Sequence, residues 1–132
     1  MKVSALNTTA ACNVAAPLRL VDPFTKQVIV DEHGDHLVIH VYGAQSDASR
    51  NALRERERKY GKTSEISPEE AERSGGEYLA SLIAGWSDNL EDDHGQLAFT
   101  RENAIRLMID QDWIARQVHD FSMNLRNFDP KR

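Results

Sequence analysis

Apolar side chains return at helical spacing along the last third of the chain, LAFTRENAIRLMIDQDWIARQVHDFSMNLRNF. Thr100 can cap one helix, because its hydroxyl accepts a backbone N–H bond, and Asp110 or Asp112 begins a second helix. The apolar positions of the second helix are 4, 3, 4 and 3 residues apart: Ile114, Val118, Phe121, Leu125 and Phe128. This spacing is typical of a stripe that faces another helix. The stripe belongs either to the core of this chain or to a surface that meets a partner.

Nearer the N-terminus, apolar and polar positions alternate, which predicts strands. KQVIVD (26–31) is short and β-branched, and the EHGD that follows supplies the glycine of a tight turn. The next segment, HLVIHVYG (36–43), alternates strictly. We therefore predict a β-hairpin whose buried face carries three apolar residues of the second strand: Leu37, Ile39 and Val41.

Two more helices are predicted in the middle of the chain. SDASRNALRERERKY (46–60) has a narrow apolar stripe, which indicates a lightly packed helix capped by Ser46 or Asp47. Ser67 opens the sequence SPEE, a capping box with proline at the first helical position. The glycines at 75–76 predict a kink or two shorter helices, since each costs about 1 kcal/mol relative to alanine. A strong apolar helical face follows: Leu79, Leu82, Ile83 and Trp86.

These elements predict one α+β domain over residues 1–132. A small antiparallel sheet or hairpin within residues 18–43 packs with about four α-helices, of which the last two form a C-terminal pair. Residues 44–132 are mainly helical. Residues 1–17 are small and polar with weak periodicity, so we expect a flexible arm or a short edge strand there. A chain of 132 residues suits a single domain with a core of modest size.

Composition and charge narrow the function classes. The formal net charge of −5 argues against general binding to nucleic acid or anionic membranes. Cys12 is the sole cysteine, so a disulfide within the chain is impossible and a cysteine-based zinc site is disfavoured. No run approaches the roughly 20 apolar residues needed to cross a bilayer, and AACNVAAP is too polar for a signal-peptide core. We expect a soluble, cytosolic protein.

The charge is unevenly distributed along the chain. Residues 46–62 carry six basic and three acidic side chains, whereas residues 63–95 carry one basic and nine acidic side chains. In the first block Arg50, Arg54 and Arg58 recur every four residues and share a helix face. They form either a site for acidic protein or nucleic acid, or a solvated face offset by neighbouring carboxylates. We favour the solvated face, because the sequence interleaves no aromatic residues that could stack on bases.

Motifs for catalysis and for metal binding are weak. His36 and His40 share one face of a predicted strand, but their side-chain bases lie about 13 Å apart, too far for one ion. We favour a solvated polar face over a metal site. The acidic stretch SDNLEDDHG departs from EF-hand spacing and predicts a surface loop. The sequence has neither a Gly-x-Ser-x-Gly motif nor a P-loop. We predict a protein that is not an enzyme and that carries no cofactor.

The order of segments resembles the tail assembly chaperones of long-tailed bacteriophages. The segments are LVDPFTKQVIV, HLVIHVYGAQSDASRNALRERERK, LASLIAGWS and LAFTRENAIRLMIDQDWIARQVHDFSMNLRNF. In that family a hairpin rich in valine or isoleucine ends near a glycine and a serine, here Gly43 and Ser46, and a charged helix follows. The later matches are a tryptophan, a short polar stretch and a closing helix: Trp86, residues 95–103 and residues 113–128. The resemblance covers about residues 18–128.

The resemblance implies a non-enzymatic function in the host bacterial cytoplasm, outside the mature virion. Family members bind and solubilise the tape measure protein and help to recruit tail tube subunits during tail morphogenesis. Such a protein needs an apolar stripe or groove and a polar outer face, and self-association would let it cover a long partner. We select nine candidate partner-binding residues: Arg50, Arg54, Arg58, Trp86, Trp113, Val118, Phe121, Leu125 and Phe128.

Three other functions fit the same sequence. A virion structural component, such as a neck or tail-completion protein, would persist in purified virions. A small enzyme or metal-binding protein would use the hairpin histidines. An accessory nucleic-acid-binding protein would use the basic segment from Arg50 to Lys62, and its retention on DNA would weaken with salt.

Overall fold

A computed structural model describes residues 1–61 and 66–131. Within these ranges the chain has an α+β fold with five α-helices and two antiparallel sheets, which confirms the predicted fold class. The helices are α1 (Thr8–Cys12), α2 (Asp47–Tyr60), α3 (Pro68–Ser81), α4 (Arg101–Asp110) and α5 (Asp112–Met123). The strands are β1 (Ala16–Arg19), β2 (Val38–Val41), β3 (Ile83–Trp86), β4 (Glu91–Asp92) and β5 (Gly95–Gln96).

The segment expected to form an arm, residues 1–17, holds a 3-10 helix (Val3–Leu6), α1 and the start of β1. Cys12 is fully buried beside Gly43, where a Cβ atom would overlap the cysteine sulfur. Asn13 and Asp47 exchange two hydrogen bonds of 2.8 and 2.9 Å. These contacts fasten α1 to the start of α2.

The larger sheet has the order β1-β2-β3, and both pairings are antiparallel. Ile39 of the central strand pairs with Leu18 on one side and Trp86 on the other. Ile39 and Val41 are fully buried and Leu37 is half-buried against the core, which confirms the predicted inner face. The smaller sheet is a hairpin of β4 and β5 within the acidic segment.

The predicted pairing within the hairpin needs correction. Its two segments meet only through an isolated bridge between Val30 and His36, and β2 takes β1 and β3 as its neighbours. Val28 and Val30 stay 45% and 50% exposed, so pairing them along β2 would bury little apolar surface. By contrast, β1 and β3 bring Leu18 and Ile83 into the core.

Three helices begin at the predicted caps. The hydroxyl groups of Ser46 and Thr100 each accept a hydrogen bond from a backbone N–H three residues on, which begins α2 and α4. Ser67 and Glu70 form both bonds of the capping box at the start of α3. Each cap satisfies backbone donors that the first turn of a helix leaves without a partner.

The break predicted at the two glycines does not occur, because α3 is continuous through Gly75 and Gly76. Gly76 is buried against α4, and a Cβ atom there would lie 2.7 Å from Cγ1 of Ile109. Close approach of the two helices therefore requires glycine. The packing between α3 and α4 offsets the poor helix propensity of glycine.

Two predicted helical segments end earlier than expected. Leu82 ends α3, and Ile83 to Trp86 form strand β3, because pairing with β2 completes the sheet. The last helix was expected to carry its stripe to Phe128, but α5 ends at Met123 and a 3-10 helix (Leu125–Phe128) follows. The Asn124 side chain accepts the Arg126 N–H and so caps this new turn.

The core lies between the larger sheet and the helices, and α5 contributes Ile114, Ala115 and Val118 to it. Full burial of each large aliphatic side chain contributes roughly 1.5–3 kcal/mol. None of the helices in the described part of the chain has both the length and the apolar character required to span a bilayer.

Candidate partner-binding grooves

Two open grooves of about 530 Å³ each indent the surface of the described residues. The tryptophan groove lies between α5 and the turn at residues 21–26. The arginine groove lies between α2, the junction of α3 with β3, and the start of α4. Their lining residues do not overlap. Both grooves are open along their length, so they are candidate docking surfaces for a partner chain and do not enclose a small molecule.

One wall of the tryptophan groove is a stripe along α5. Its members recur at spacings of three, one and three residues, as one face of a helix requires: Trp113, Arg116, Gln117, Asp120, Phe121 and Asn124. Trp113 and Phe121 are half-buried. The Phe121 and Phe128 rings meet in an edge-to-face pair with centroids 5.7 Å apart, so the buried Phe128 supports the half-buried Phe121.

The opposite wall is a tight turn that α5 holds in place. One carboxylate oxygen of Asp22 accepts the backbone N–H groups of Phe24 and Thr25 at 2.8 and 3.1 Å, which fixes the turn. The Gln117 side chain accepts the Val21 N–H at 2.9 Å and donates to the Val21 carbonyl at 2.7 Å. This paired contact joins residues that are 96 positions apart. Because these two hydrogen bonds join the walls, the width of the groove is fixed.

Charges of both signs line the tryptophan groove. Lys26 and Arg116 face it together with Asp22 and Asp120. Arg116 also forms an ion pair of 2.7 Å with Asp112, one turn earlier, and this contact raises the pKa of the guanidinium. A groove with two partly exposed aromatic rings and balanced charge suits an amphipathic helix with mixed polar flanks.

The floor of the arginine groove is made of small and apolar side chains: Ala48, Ala52, Ala80, Ile83, Phe99 and Ala104. Phe99 is 43% exposed and meets the Trp86 ring edge-to-face at 4.9 Å. The Trp86 indole N–H donates to the Leu97 carbonyl at 2.8 Å. Trp86 thus positions Phe99 from behind.

One guanidinium group, that of Arg101, lines this groove, and two more contact lining residues from beside it. Arg101 lines it and donates to the Ser81 hydroxyl at 3.1 Å. Arg54 donates at 3.5 Å to Asn51, itself a lining residue. Arg58 forms an ion pair with Glu55, another lining residue, and its hydrogen bond lowers the pKa of that carboxyl. Within the described residues Arg54 and Arg101 form no ion pair, so the border has an excess of positive charge.

Hydrogen bonds and ion pairs of two carboxylates join the helices that surround the arginine groove. Glu77 of α3 accepts hydrogen bonds from Lys59 and Tyr60 of α2. Burial alone would raise the pKa of Glu77, but these hydrogen bonds outweigh it and keep the pKa below its usual value. Arg73 binds both carboxylate oxygens of Glu102 at 3.0 Å, which joins α3 to α4.

The structure divides the nine candidate residues between several places. Arg54, Arg58 and Trp86 each contact a lining residue of the arginine groove without lining it themselves, and Trp113 and Phe121 line the tryptophan groove. Three others lie elsewhere. Arg50 donates to Thr9 of α1 at 2.9 Å, whereas Val118 and Phe128 are buried in the fold, at 0% and 5% exposure. Leu125 is 43% exposed in the last 3-10 helix.

Sequence reasoning missed Gln117, Phe99 and Arg101. Gln117 lies between Trp113 and Phe121 at helical spacing, which is a signal, but its polar side chain gave no reason to select it. Phe99 and Arg101 flank the Thr100 cap. Lys62, part of the predicted basic segment, lies outside the described residues. Among the residues that the structure describes, no three His, Cys, Asp or Glu side chains are placed to hold a metal ion together.

No protein-family model, no curated protein and no solved structure matched this chain. A proposal of function therefore depends on the two grooves and on the resemblance in the order of sequence segments.

Proposed function

We propose that this protein is a non-enzymatic tail assembly chaperone that binds and solubilises a tape measure protein in the cytoplasm of the host bacterium and helps to recruit tail tube subunits. The tryptophan groove is the observation that carries the proposal. A tape measure protein exposes long apolar helical faces until the tube closes around it. A groove with an aromatic wall and a polar border is the surface that accepts such a face.

The geometry of the groove supports a helix as its occupant. Trp113 and Phe121 are about two turns of α5 apart, so their Cα atoms are about 12 Å apart along the helix axis. An amphipathic helix laid along α5 would place apolar residues of successive turns against both rings. The pairs of opposite charge beside the rings favour a partner with mixed polar flanks over a strongly charged one.

Co-expression with the tape measure protein tests the proposal. In the resembled family that protein is encoded directly downstream, so the neighbouring gene supplies the partner. The wild-type chain should keep the partner soluble and co-purify with it. Trp113→Ala and Phe121→Ala should reduce the co-purified fraction at least tenfold, because aromatic anchors dominate interfaces. The matched control is Arg106→Glu, an exposed change on α4 outside both grooves.

Two results would overturn the proposal. One is full retention of the partner by folded Trp113→Ala and Phe121→Ala variants. The other is detection of the protein in stoichiometric amount by mass spectrometry of mature virions, which would support a neck or tail-completion component instead. Circular dichroism of each variant separates lost binding from lost folding.

A further inference from the structure

We propose that the arginine groove binds an acidic amphipathic helix of a second protein, independently of the tryptophan groove. This inference goes beyond the proposed function, because it concerns another surface and another class of partner.

The floor accepts a helix at close range. Ala48 and Ala52 are one turn apart on α2, and Ala80 and Ala104 come from α3 and α4. Small side chains lower the surface, so the backbone of a docked helix can approach closely and bury its apolar face. Phe99 rises beside them as a single aromatic contact, held by Trp86.

The positive charges beside the groove favour an acidic partner. Arg101 and Glu55 line the groove with opposite charges. Arg54 and Arg58 add two positive charges beside it, where they contact the lining residues Asn51 and Glu55. The hydrogen bonds of Arg54 and Arg101 go to neutral groups, Asn51 and Ser81. Neither of these two guanidinium groups has a carboxylate within ion-pair distance among the described residues. Guanidinium binds carboxylate well because two N–H groups can reach both oxygens, so both groups suit the carboxylates of a docked helix.

Side-chain contacts between the surrounding helices fix the shape of the groove. Lys59, Tyr60 and Glu77 join α2 to α3, and Arg73 and Glu102 join α3 to α4. A groove whose walls are already joined loses little conformational entropy when it binds a partner.

A pair of synthetic peptides tests this inference. Each has about 18 residues, enough for several helical turns, with leucine and alanine on one face. One peptide carries glutamate on both flanks and the other carries lysine. In fluorescence anisotropy at low salt the glutamate peptide should bind at least about tenfold more tightly, and added salt should weaken it. Equal binding of both peptides would overturn the inference.

Four variants locate the binding. Arg54→Glu, alone and with Arg101→Glu, should lower the affinity for the glutamate peptide by about tenfold or more. Ala52→Phe should lower the affinity similarly, because the larger side chain fills the floor of the groove while the charges beside it are unchanged. Arg106→Glu makes the same charge change on the outer face of α4 and should leave affinity within about twofold. If Arg106→Glu lowers the affinity as much as Arg54→Glu does, or if folded Ala52→Phe binds the peptide with wild-type affinity, the groove is not the site.

Competition experiments exclude other occupants. A single-stranded oligonucleotide that displaces the peptide from wild-type protein but not from Arg54→Glu would assign the groove to nucleic acid. Analytical ultracentrifugation of the chain alone tests a second copy: an oligomer that Arg54→Glu dissociates would assign the groove to self-association. Either result would overturn the inference. Absence of both, with peptide binding as stated, supports it.

Discussion

The tryptophan groove has bulky walls and charges of both signs, whereas the arginine groove has a floor of small side chains and an excess of positive charge. The first takes nearly all of one wall from α5, and the second draws its lining from three separate segments. A wall built from one helix can be recognised in the sequence as a periodic stripe of residues. A surface assembled from distant segments becomes visible only when the fold brings them together. The difference also suggests that the two grooves discriminate partners by different means, namely shape in one and charge in the other.

The largest effect is expected from Val118→Asp, which removes the support of both grooves. Val118 is fully buried, so the carboxylate would be placed in the core without a partner. We expect a loss of about 4 kcal/mol in the free energy of unfolding, which is a large fraction of the roughly 5–15 kcal/mol that stabilises an ordinary domain. Urea unfolding followed by circular dichroism measures it. A folded variant that lacks only tape measure binding would instead identify Val118 as a contact.

Trp113→Ala should separate the two grooves. Truncation of a central aromatic anchor costs about 2 kcal/mol of binding free energy, or roughly thirtyfold in affinity for the tape measure protein. Binding of the glutamate peptide should not change, because Trp113 does not line the arginine groove. Parallel titrations of both partners provide the measurement. Equal losses at both grooves would show that they are coupled through the core.

Acid should weaken the support of the arginine groove. The folded pKa of Glu77 is lowered, so its stabilising contribution is present above the ordinary value of 4.5 and is lost as the pH falls through the folded pKa. At neutral pH, Glu77→Gln should cost about 1 kcal/mol through lost charged hydrogen bonds. Unfolding curves between about pH 7 and pH 3 should converge for wild type and variant. Glu72→Gln, exposed on the same helix, is the control and should follow wild type throughout.

The smallest effect is expected from Arg50→Ala. Arg50 shares the helix face of Arg54 and Arg58, but its side chain donates to Thr9 and lines neither groove. An exposed hydrogen bond of this kind contributes within about 0.5 kcal/mol to stability. Both affinities should stay within twofold of wild type in the same titrations. A large loss of peptide binding would extend the arginine groove along α2 to its first turn.

Sequence alone predicted the features that depend on neighbouring residues. The caps at Ser46, Ser67 and Thr100 were found because a cap depends on side chains within one turn. The alternation that placed Ile39 and Val41 in the core was found for the same reason. The fold class followed from these local patterns.

Features that depend on distant residues were not predictable in this way. Leu82, Ile83 and Trp86 satisfy helical spacing, yet pairing with β2 makes a strand of residues 83–86. Gly76 looked like a helix breaker because nothing in its neighbourhood reveals the Ile109 side chain against it. The apolar stripe of the last helix includes Phe121 of the tryptophan groove, but three of its other members are buried: Ile114, Val118 and Phe128. A single sequence does not show which side of such a stripe meets the fold.

Burial of Cys12 against Gly43 makes this protein convenient for labelling. Thiol-reactive dyes will reach the native sulfur only when α1 separates from the segment that follows β2. A second thiol introduced by Asn51→Cys or Lys26→Cys, both exposed lining positions, would therefore accept a fluorophore selectively on the intact protein, one substitution for each groove. Fluorescence changes at the two positions could then follow two occupants separately, in the order in which they arrive.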